Sequence, residues 1–401
     1  MSLAVSENDV GAPPLLHDPL RAVLTETGWG SRVADVLSVM NQLQSESDIH
    51  YTSDVVAKTL EDVGCTRMWM SGAFGGSGAS LAEGLSVVAA LAEADASVGW
   101  QVGVQGAIGR ISDYLPVSSA GEIFGSSAGF VIGSVNPTGK YTSTDDGFIV
   151  TGRWSFASGE RHGKWFVCAA VPDAESPVKD GIRMFFVPRE RITVIDVWRT
   201  MGLRRTGSND YSLDQVSVSS QMSVRQQDMF SVPPLRPECG YPISYYDFGP
   251  FTSAGTLLGL AKASIREFKS SSAARVRAAS SAPISLSHTV QDAVGRAEIS
   301  YIQAASSLLH AASIVSSSKS EFTSDALSAF VRLTAARVAE ECLAVVSTMF
   351  RLAGTAAIYE SSPLEQQFRD AHVASKHITL SPTNFEMAGQ FLLGGPLQMR
   401  R

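Results

Sequence analysis

Gly133-Ser134-Val135-Asn136-Pro137-Thr138-Gly139 and Thr151-Gly152-Arg153-Trp154-Ser155-Phe156-Ala157-Ser158-Gly159, with His162 and Trp165 close behind, decide how the rest of this chain is read. They lie between Phe130 and about Phe230, a stretch unlike either flank. There Phe148-Ile149-Val150, Trp165-Phe166-Val167, Met184-Phe185-Phe186-Val187 and Ile192-Thr193-Val194 form short β-prone runs. Turn signals separate them at Asp145-Asp146-Gly147, Pro172-Asp173 and Pro188-Arg189. Regular short strands of this kind predict a compact antiparallel barrel or sandwich over residues 126–232.

Outward from it both flanks read as helical. On the N-terminal side, residues 1–125, Leu85, Val88, Ala89 and Ala92 recur at helical spacing, and Asp95 with Ser97 predicts a cap for the next helix. Gly75, Gly76 and Gly78 mark a loop between helices. Met229 to Tyr246 is proline-rich and aperiodic, and so reads as a linker. Beyond it, within residues 233–401, an alanine-rich helical bundle sets Leu257, Leu260, Ala261 and Ile265 on one face. A Ser/Ala-rich interruption from Ser270 to Ser287 carries Arg275 and Arg277. The class is α+β: helices, a β domain, then a helical bundle.

Composition narrows the function. The 401 residues carry a formal charge of −7, with no dense Lys/Arg run, which argues against nucleic-acid binding. Cys65, Cys168, Cys239 and Cys342 lie far apart without a CxxC pair, so a disulfide scaffold or zinc site is not expected and a cytoplasmic setting is. Met1–Pro14 lacks the basic patch and apolar run of a secretory signal. Leu81–Ile111 is broken by Glu83, Glu93, Asp95 and Arg110, so it is not read as a membrane span. Gly103, Gly106 and Gly109 have the wrong spacing and no preceding strand for a dinucleotide fingerprint, so the chain is not expected to reduce a flavin with NAD(P)H by itself.

The α–β–α order, the Phe74-Gly75-Gly76-Ser77-Gly78 loop and Ala94-Asp95-Ala96-Ser97-Val98-Gly99-Trp100 resemble the acyl-CoA dehydrogenase superfamily and its oxygenase branch. The two central motifs, together with Pro363-Leu364-Glu365, Phe368-Arg369-Asp370-Ala371-His372 and His377, resemble the two-component, reduced-flavin-dependent monooxygenases. That group includes p-hydroxyphenylacetate hydroxylase oxygenase components, dibenzothiophene monooxygenase and amino-sugar nitrososynthases. The resemblance covers the chain past residue 50.

The two branches need opposite chemistry, and one position separates them. A dehydrogenase needs a carboxylate to remove the proton alpha to a thioester. Counted from Arg369-Asp370-Ala371, the family's step to that glutamate lands on Ile378. The minority position for the base falls near Gly249, with Asp247 the nearest acid. Beside the vacancy stands His377, which resembles the flavin-facing histidine of the oxygenases. An imidazole there could donate to a peroxide or take a phenolic or ammonium proton. His372 and His377 would lie about 140° apart on a helix and share no face, so no metal site is read from them.

The resemblance also implies roles for other residues. Ser158 corresponds to the residue that hydrogen-bonds flavin N5, where a hydroxyl acceptor would slow loss of hydrogen peroxide from a C4a-hydroperoxide. Phe156 and Trp198 would wall the ring, with core packing the alternative for Trp198. Asn136 and Thr138 would meet the pyrimidine edge, and Arg277 the phosphate of a neighbouring subunit's flavin. Ser280-Ser281 and Arg351-Leu352-Ala353-Gly354-Thr355 depart from the family's dinucleotide contacts, which tilts the expected cofactor to reduced FMN, with FADH2 the alternative.

The expected enzyme is thus a monooxygenase served by a separate NAD(P)H:flavin reductase, using O2 and forming a homotetramer. Its substrate is expected to be a bulky aromatic metabolite, with N-oxygenation of an amine or amino sugar as the alternative. A dehydrogenase with Asp247 as displaced base, or a flavin-binding assembly protein without turnover, are the remaining readings.

Overall fold

A computed structural model describes residues 14–43, 50–125, 129–231, 243–276, 282–317 and 324–397. Among the described residues, six α-helices precede the strands: α1 (Pro19–Glu26), α2 (Trp29–Gln42), α3 (Asp54–Asp62), α4 (Leu81–Ala94), α5 (Ala96–Gly109) and α6 (Val117–Phe124). The strands are β1 (Phe130–Thr144), β2 (Gly147–Ala157), β3 (Gly163–Pro172), β4 (Arg183–Pro188), β5 (Thr193–Ile195), β6 (Asn209–Ser219) and β7 (Ser223–Arg225). Among the same residues five α-helices follow: α7 (Tyr245–Ser272), α8 (His288–Ser316), α9 (Ser324–Ala353), α10 (Pro363–Ala374) and α11 (Thr383–Leu392). Most of the proline-rich segment read as a linker lies outside the described residues.

The strands form one hydrogen-bonded sheet in the order β5-β6-β2-β1-β3-β4-β7. The sheet departs from the antiparallel expectation at one place: β1 and β3 run parallel. The cause is the connection after β2. The hairpin at Asp145-Asp146 sends β2 back antiparallel to β1, and the short turn Glu160–His162 then carries the chain across to the far edge of β1. The site residues of the 156–158 segment sit on that crossing.

The N-terminal helices are set by local chemistry and then locked by packing. Ser80 and Glu83 form a capping box that starts α4. Asp95 caps α5, accepting the Ser97 amide at 2.8 Å, and also pairs with Arg205 at 2.6 Å from the loop before β6. Helix α5 is poor in intrinsic propensity, because Gly99, Gly103, Gly106 and Gly109 all fall within its 14 residues. Close packing overrides that cost. A Cβ on Gly106 would lie 2.3 Å from the Trp69 ring, and one on Gly84 of α4 would lie 2.1 Å from it. Gly103 meets the Thr252 carbonyl of α7, and Gly109 meets Met70. Trp69 is fully buried, edge-on to Phe248 of α7 at 5.1 Å, and its indole N–H donates to the Ser80 carbonyl. One indole therefore wedges α4, α5 and α7 together.

Helix α9 is long and apolar enough to cross a membrane by length and composition, with 33% of its most apolar stretch buried. It packs on α7, α8, α10 and α11 and carries the buried Arg332.

The wedge is directly testable. Gly106→Ala should destabilise the protein by about 1–3 kcal/mol through overpacking against Trp69. In contrast, Gly121→Ala in α6, whose added Cβ would meet nothing within 4 Å, should stay within about 0.5 kcal/mol or stabilise slightly. Equal unfolding midpoints for the two variants would show that Trp69 does not hold α5 in this way.

Candidate active site

At one end of the sheet the ladder lapses. The pairing of β1 with β3 skips between Ser134 and Gly139, and β1 does not pair with β2 until Lys140. Residues 135–138 thus have no ladder partner on either side. Asn136 presents an exposed side chain there, whereas the Thr138 hydroxyl is already committed to the Arg153 carbonyl at 2.7 Å. Beside this lapse β2 bulges between Trp154 and Ala157, and Phe156 takes φ +71°, a left-handed conformation that a bulky side chain seldom adopts. The inverted backbone lifts the Phe156 ring out of the sheet, leaving it 66% exposed and edge-on to Trp198 at 6.2 Å. Trp198 is fixed in turn: its indole N–H donates to the Leu203 carbonyl, and Asn209 accepts its backbone amide. Strain of this kind persists only where the surroundings enforce it, and it points to a site.

Just past the bulge, Ser158 is buried. Its Oγ lies 3.3 Å from the Trp100 indole nitrogen on α5 and 2.8 Å from the Ser208 hydroxyl. Ser208 contacts the Thr206 hydroxyl at 2.6 Å, and Thr206 donates to the Leu203 carbonyl at 2.7 Å. Trp100 and Thr206 were not singled out as site residues in the sequence, and neither was Ser208. Trp100 was legible only as part of a motif, and the Thr206–Ser208 pair gave no signal without its tertiary partners.

The other side of Trp100 meets His377, ring to ring at 5.4 Å. Nδ1 of His377 accepts from the Thr379 hydroxyl at 2.7 Å and from the Thr379 amide at 3.4 Å, and lies 3.4 Å from Ser253 Oγ on α7. Because an amide can only donate, Nδ1 is the acceptor and the ring proton sits on Nε2. Among the described residues Nε2 has no hydrogen-bond partner. Burial lowers the His377 pKa to about 4, which keeps the imidazole neutral. His372 is elsewhere, packed on Phe368 at 4.3 Å.

The acids fall out of the site. Ile378, where the sequence reading expects the dehydrogenase base, has an aliphatic side chain that is 53% exposed. Asp247 is spent on structure. Its amide donates to the capping Ser244 hydroxyl, and its carboxylate accepts from Ser244 at 2.7 Å and from Ser328 on α9, with Arg332 at 3.9 Å. A carboxylate so engaged serves to start α7 and tie it to α9. Asp370, from the Arg-Asp-Ala motif, is buried and accepts the Leu203 amide at 2.6 Å. Desolvation, with the Asp95 charge adding to it, pushes its pKa up to about 6.

The residues present fit a flavin. An exposed, strained aromatic ring offers a face, main chain outside the sheet ladder flanks it, and a buried hydroxyl and a neutral imidazole stand alongside. Arg277 lies outside the described residues. Arg275 keeps one buried guanidinium nitrogen without a partner among the described residues, which suits an anion.

Comparison with known proteins agrees with this geometry. Residues 251–382 match the acyl-CoA dehydrogenase C-terminal domain. The chain is 26% identical to an indole-3-acetate monooxygenase of Acinetobacter baumannii over 349 residues, 86% of this chain and 88% of that one. It is 30% identical to a pigment production hydroxylase of a Rhodococcus species over 275 residues, covering 66% and 70% of the two chains. The crystal structure of the 3-HSA hydroxylase from Rhodococcus sp. RHA1 superposes with a TM-score of 0.83 at 22% identity, over 94% of this chain and 99% of that one. By its sequence kinship, the chain belongs to the oxygenase components of two-component flavin-dependent monooxygenases, which carry the acyl-CoA dehydrogenase fold.

Proposed function

We propose that this monooxygenase hydroxylates a bulky aromatic substrate, using reduced FMN delivered by a separate NAD(P)H:flavin reductase. What carries the reading is the pairing of a spent acid with a poised imidazole: Asp247 is held by Ser244 and Ser328, while His377 keeps Nε2–H free. The indole-3-acetate monooxygenase among its relatives supports an aromatic substrate. N-oxygenation of an amine remains the second reading, since a neutral donor serves either acceptor.

Reduced flavin, when bound, supplies the two electrons that activate dioxygen for oxygen transfer. The chain's own residues shape that chemistry. Phe156 and Trp198 wall one side and exclude water. Asn136, Thr138 and the main chain of residues 135–138, which lies outside the sheet ladder, hold the polar edge of the ring, and Ser158 faces N5. Arg277, outside the described residues, is the residue proposed to take the phosphate of a flavin bound by a neighbouring copy. Trp100 packs between Ser158 and His377 and keeps both in place. His377 acts as a neutral hydrogen-bond donor toward oxygen or the substrate, because a nitrogen with a pKa of about 4 is a weak proton acceptor. A homotetramer is the assembly expected of the chain.

Two experiments test these assignments. With a flavin reductase and NADH, oxygen consumption should yield hydroxylated product from a phenol or indole; anaerobic bleaching of the oxidised flavin by an acyl thioester would instead mark a dehydrogenase. His377→Ala should lower product per NADH about fivefold or more, the worth of one hydrogen bond, while oxygen consumption persists. The sign of the pH effect follows from the lowered pKa. Neutral His377 is present above about pH 4, so product yield should not titrate near pH 6.5. An acid limb near 6.5 that disappears in His377→Asn would refute the neutral-donor role.

A further inference from the structure

The buried contacts around Ser158 have a direction that their two ends dictate. At one end the Trp100 indole can only donate, and it donates to Ser158 Oγ. At the other end the Leu203 carbonyl can only accept, and it takes the single proton of the Thr206 hydroxyl. With that proton spent, the 2.6 Å contact between Ser208 and Thr206 requires Ser208 to donate. The 2.8 Å contact between Ser158 and Ser208 then requires Ser158 to donate. The chain of donations runs one way, from Trp100 through Ser158, Ser208 and Thr206 to Leu203.

Ser158 is left with its proton committed and one lone pair free. It can accept a further hydrogen bond and cannot offer one. All four side chains are 8% exposed or less, so solvent is poorly placed to supply an alternative partner that would relax the order.

We propose that Ser208 and Thr206 are positioning residues that fix Ser158 as an acceptor, and so make the site select reduced over oxidised flavin. N5 of reduced flavin carries a proton and fits the free lone pair. N5 of oxidised flavin presents a lone pair of its own, and the two repel. An enzyme supplied with reduced flavin by diffusion gains from this: the oxidised form, abundant and of nearly the same shape, is discriminated against by one buried proton's direction. The proposal rests on the assignment of Ser158 to the N5 edge made above.

The test is flavin affinity and potential, independent of turnover. Kd for FMN would be measured by fluorescence quenching, Kd for FMNH2 by anaerobic titration, in the wild type, Ser158→Ala, Ser208→Ala, Thr206→Val and Ser208→Thr. Removing the acceptor at Ser208 or Thr206 frees a proton to turn back toward N5. Both variants should therefore bind FMN more tightly and narrow the reduced-to-oxidised preference about tenfold, lowering the potential of bound flavin by about 30 mV. Ser208→Thr, which keeps the hydroxyl, should restore the wild-type ratio. Thr206→Val carries the test alone should Ser208→Ala not fold. If Ser158→Ala weakens FMNH2 binding but Ser208→Ala and Thr206→Val leave the ratio unchanged, the relay is overturned while Ser158 keeps its place. If Ser158→Ala leaves FMNH2 binding unchanged, Ser158 does not meet N5, and the proposal falls with that assignment.

Discussion

The approach of α5 to Trp69 is the constraint on which the site depends. Glycines on one face of α5 bring its backbone against the indole and against the Thr252 carbonyl of α7, closer than any side chain would allow. The rest of the helix then has little freedom of position. Its flank, about 100° round from Gly99, carries Trp100, whose nitrogen reaches Ser158 on the sheet while its ring meets His377 beyond α10. A shift of α5 by the width of one methyl would break one contact or the other. A close-packed interior transmits such a shift rather than absorbing it. The aromatic wedge is thus distant in sequence, yet it sets the spacing between Ser158 and His377 on either side of Trp100.

Much of this was legible in the chain, and the rest failed for identifiable reasons. The Asp95 cap and the strand runs around Phe148 and Phe185 are local patterns, and each is found in the structure. Gly103, Gly106 and Gly109 were correctly refused as a nucleotide loop, but nothing in their spacing names Trp69, some forty residues away, as the partner. The parallel pairing of β1 and β3 was missed because strand direction depends on where a short turn crosses the sheet, which alternation does not encode. Asp247 could be located but not assigned, because its capture relies on Ser328 and Arg332 from a helix distant in sequence. Ser208 and Thr206 are ordinary residues whose meaning lies only in what they touch.

Burial and hydrogen bonding hold the ionisable groups around the site. Asp247 is fixed by the Ser244 and Ser328 hydroxyls with Arg332 at 3.9 Å, and the imidazole is kept uncharged by burial. For Asp370, desolvation raises the pKa to about 6, and its carboxyl holds the Leu203 amide at the foot of the hydroxyl chain. Oxygen chemistry in a poorly solvated pocket gains from such neutrality, since stray charge would invite water and mobile protons.

The gap in the sheet ladder at residues 135–138 carries an evolutionary consequence. If these peptide groups recognise the cofactor as proposed, the segment is largely indifferent to the side chains mounted on it, so long as the kink survives. Mutational drift in that segment should be broad, while Gly133, whose missing Cβ lets the strand pass the Val167 backbone, and Gly139, which lies flat on Trp154, should resist it. Kinship among such proteins would then be recorded in their hinges more faithfully than in the atoms that touch the cofactor.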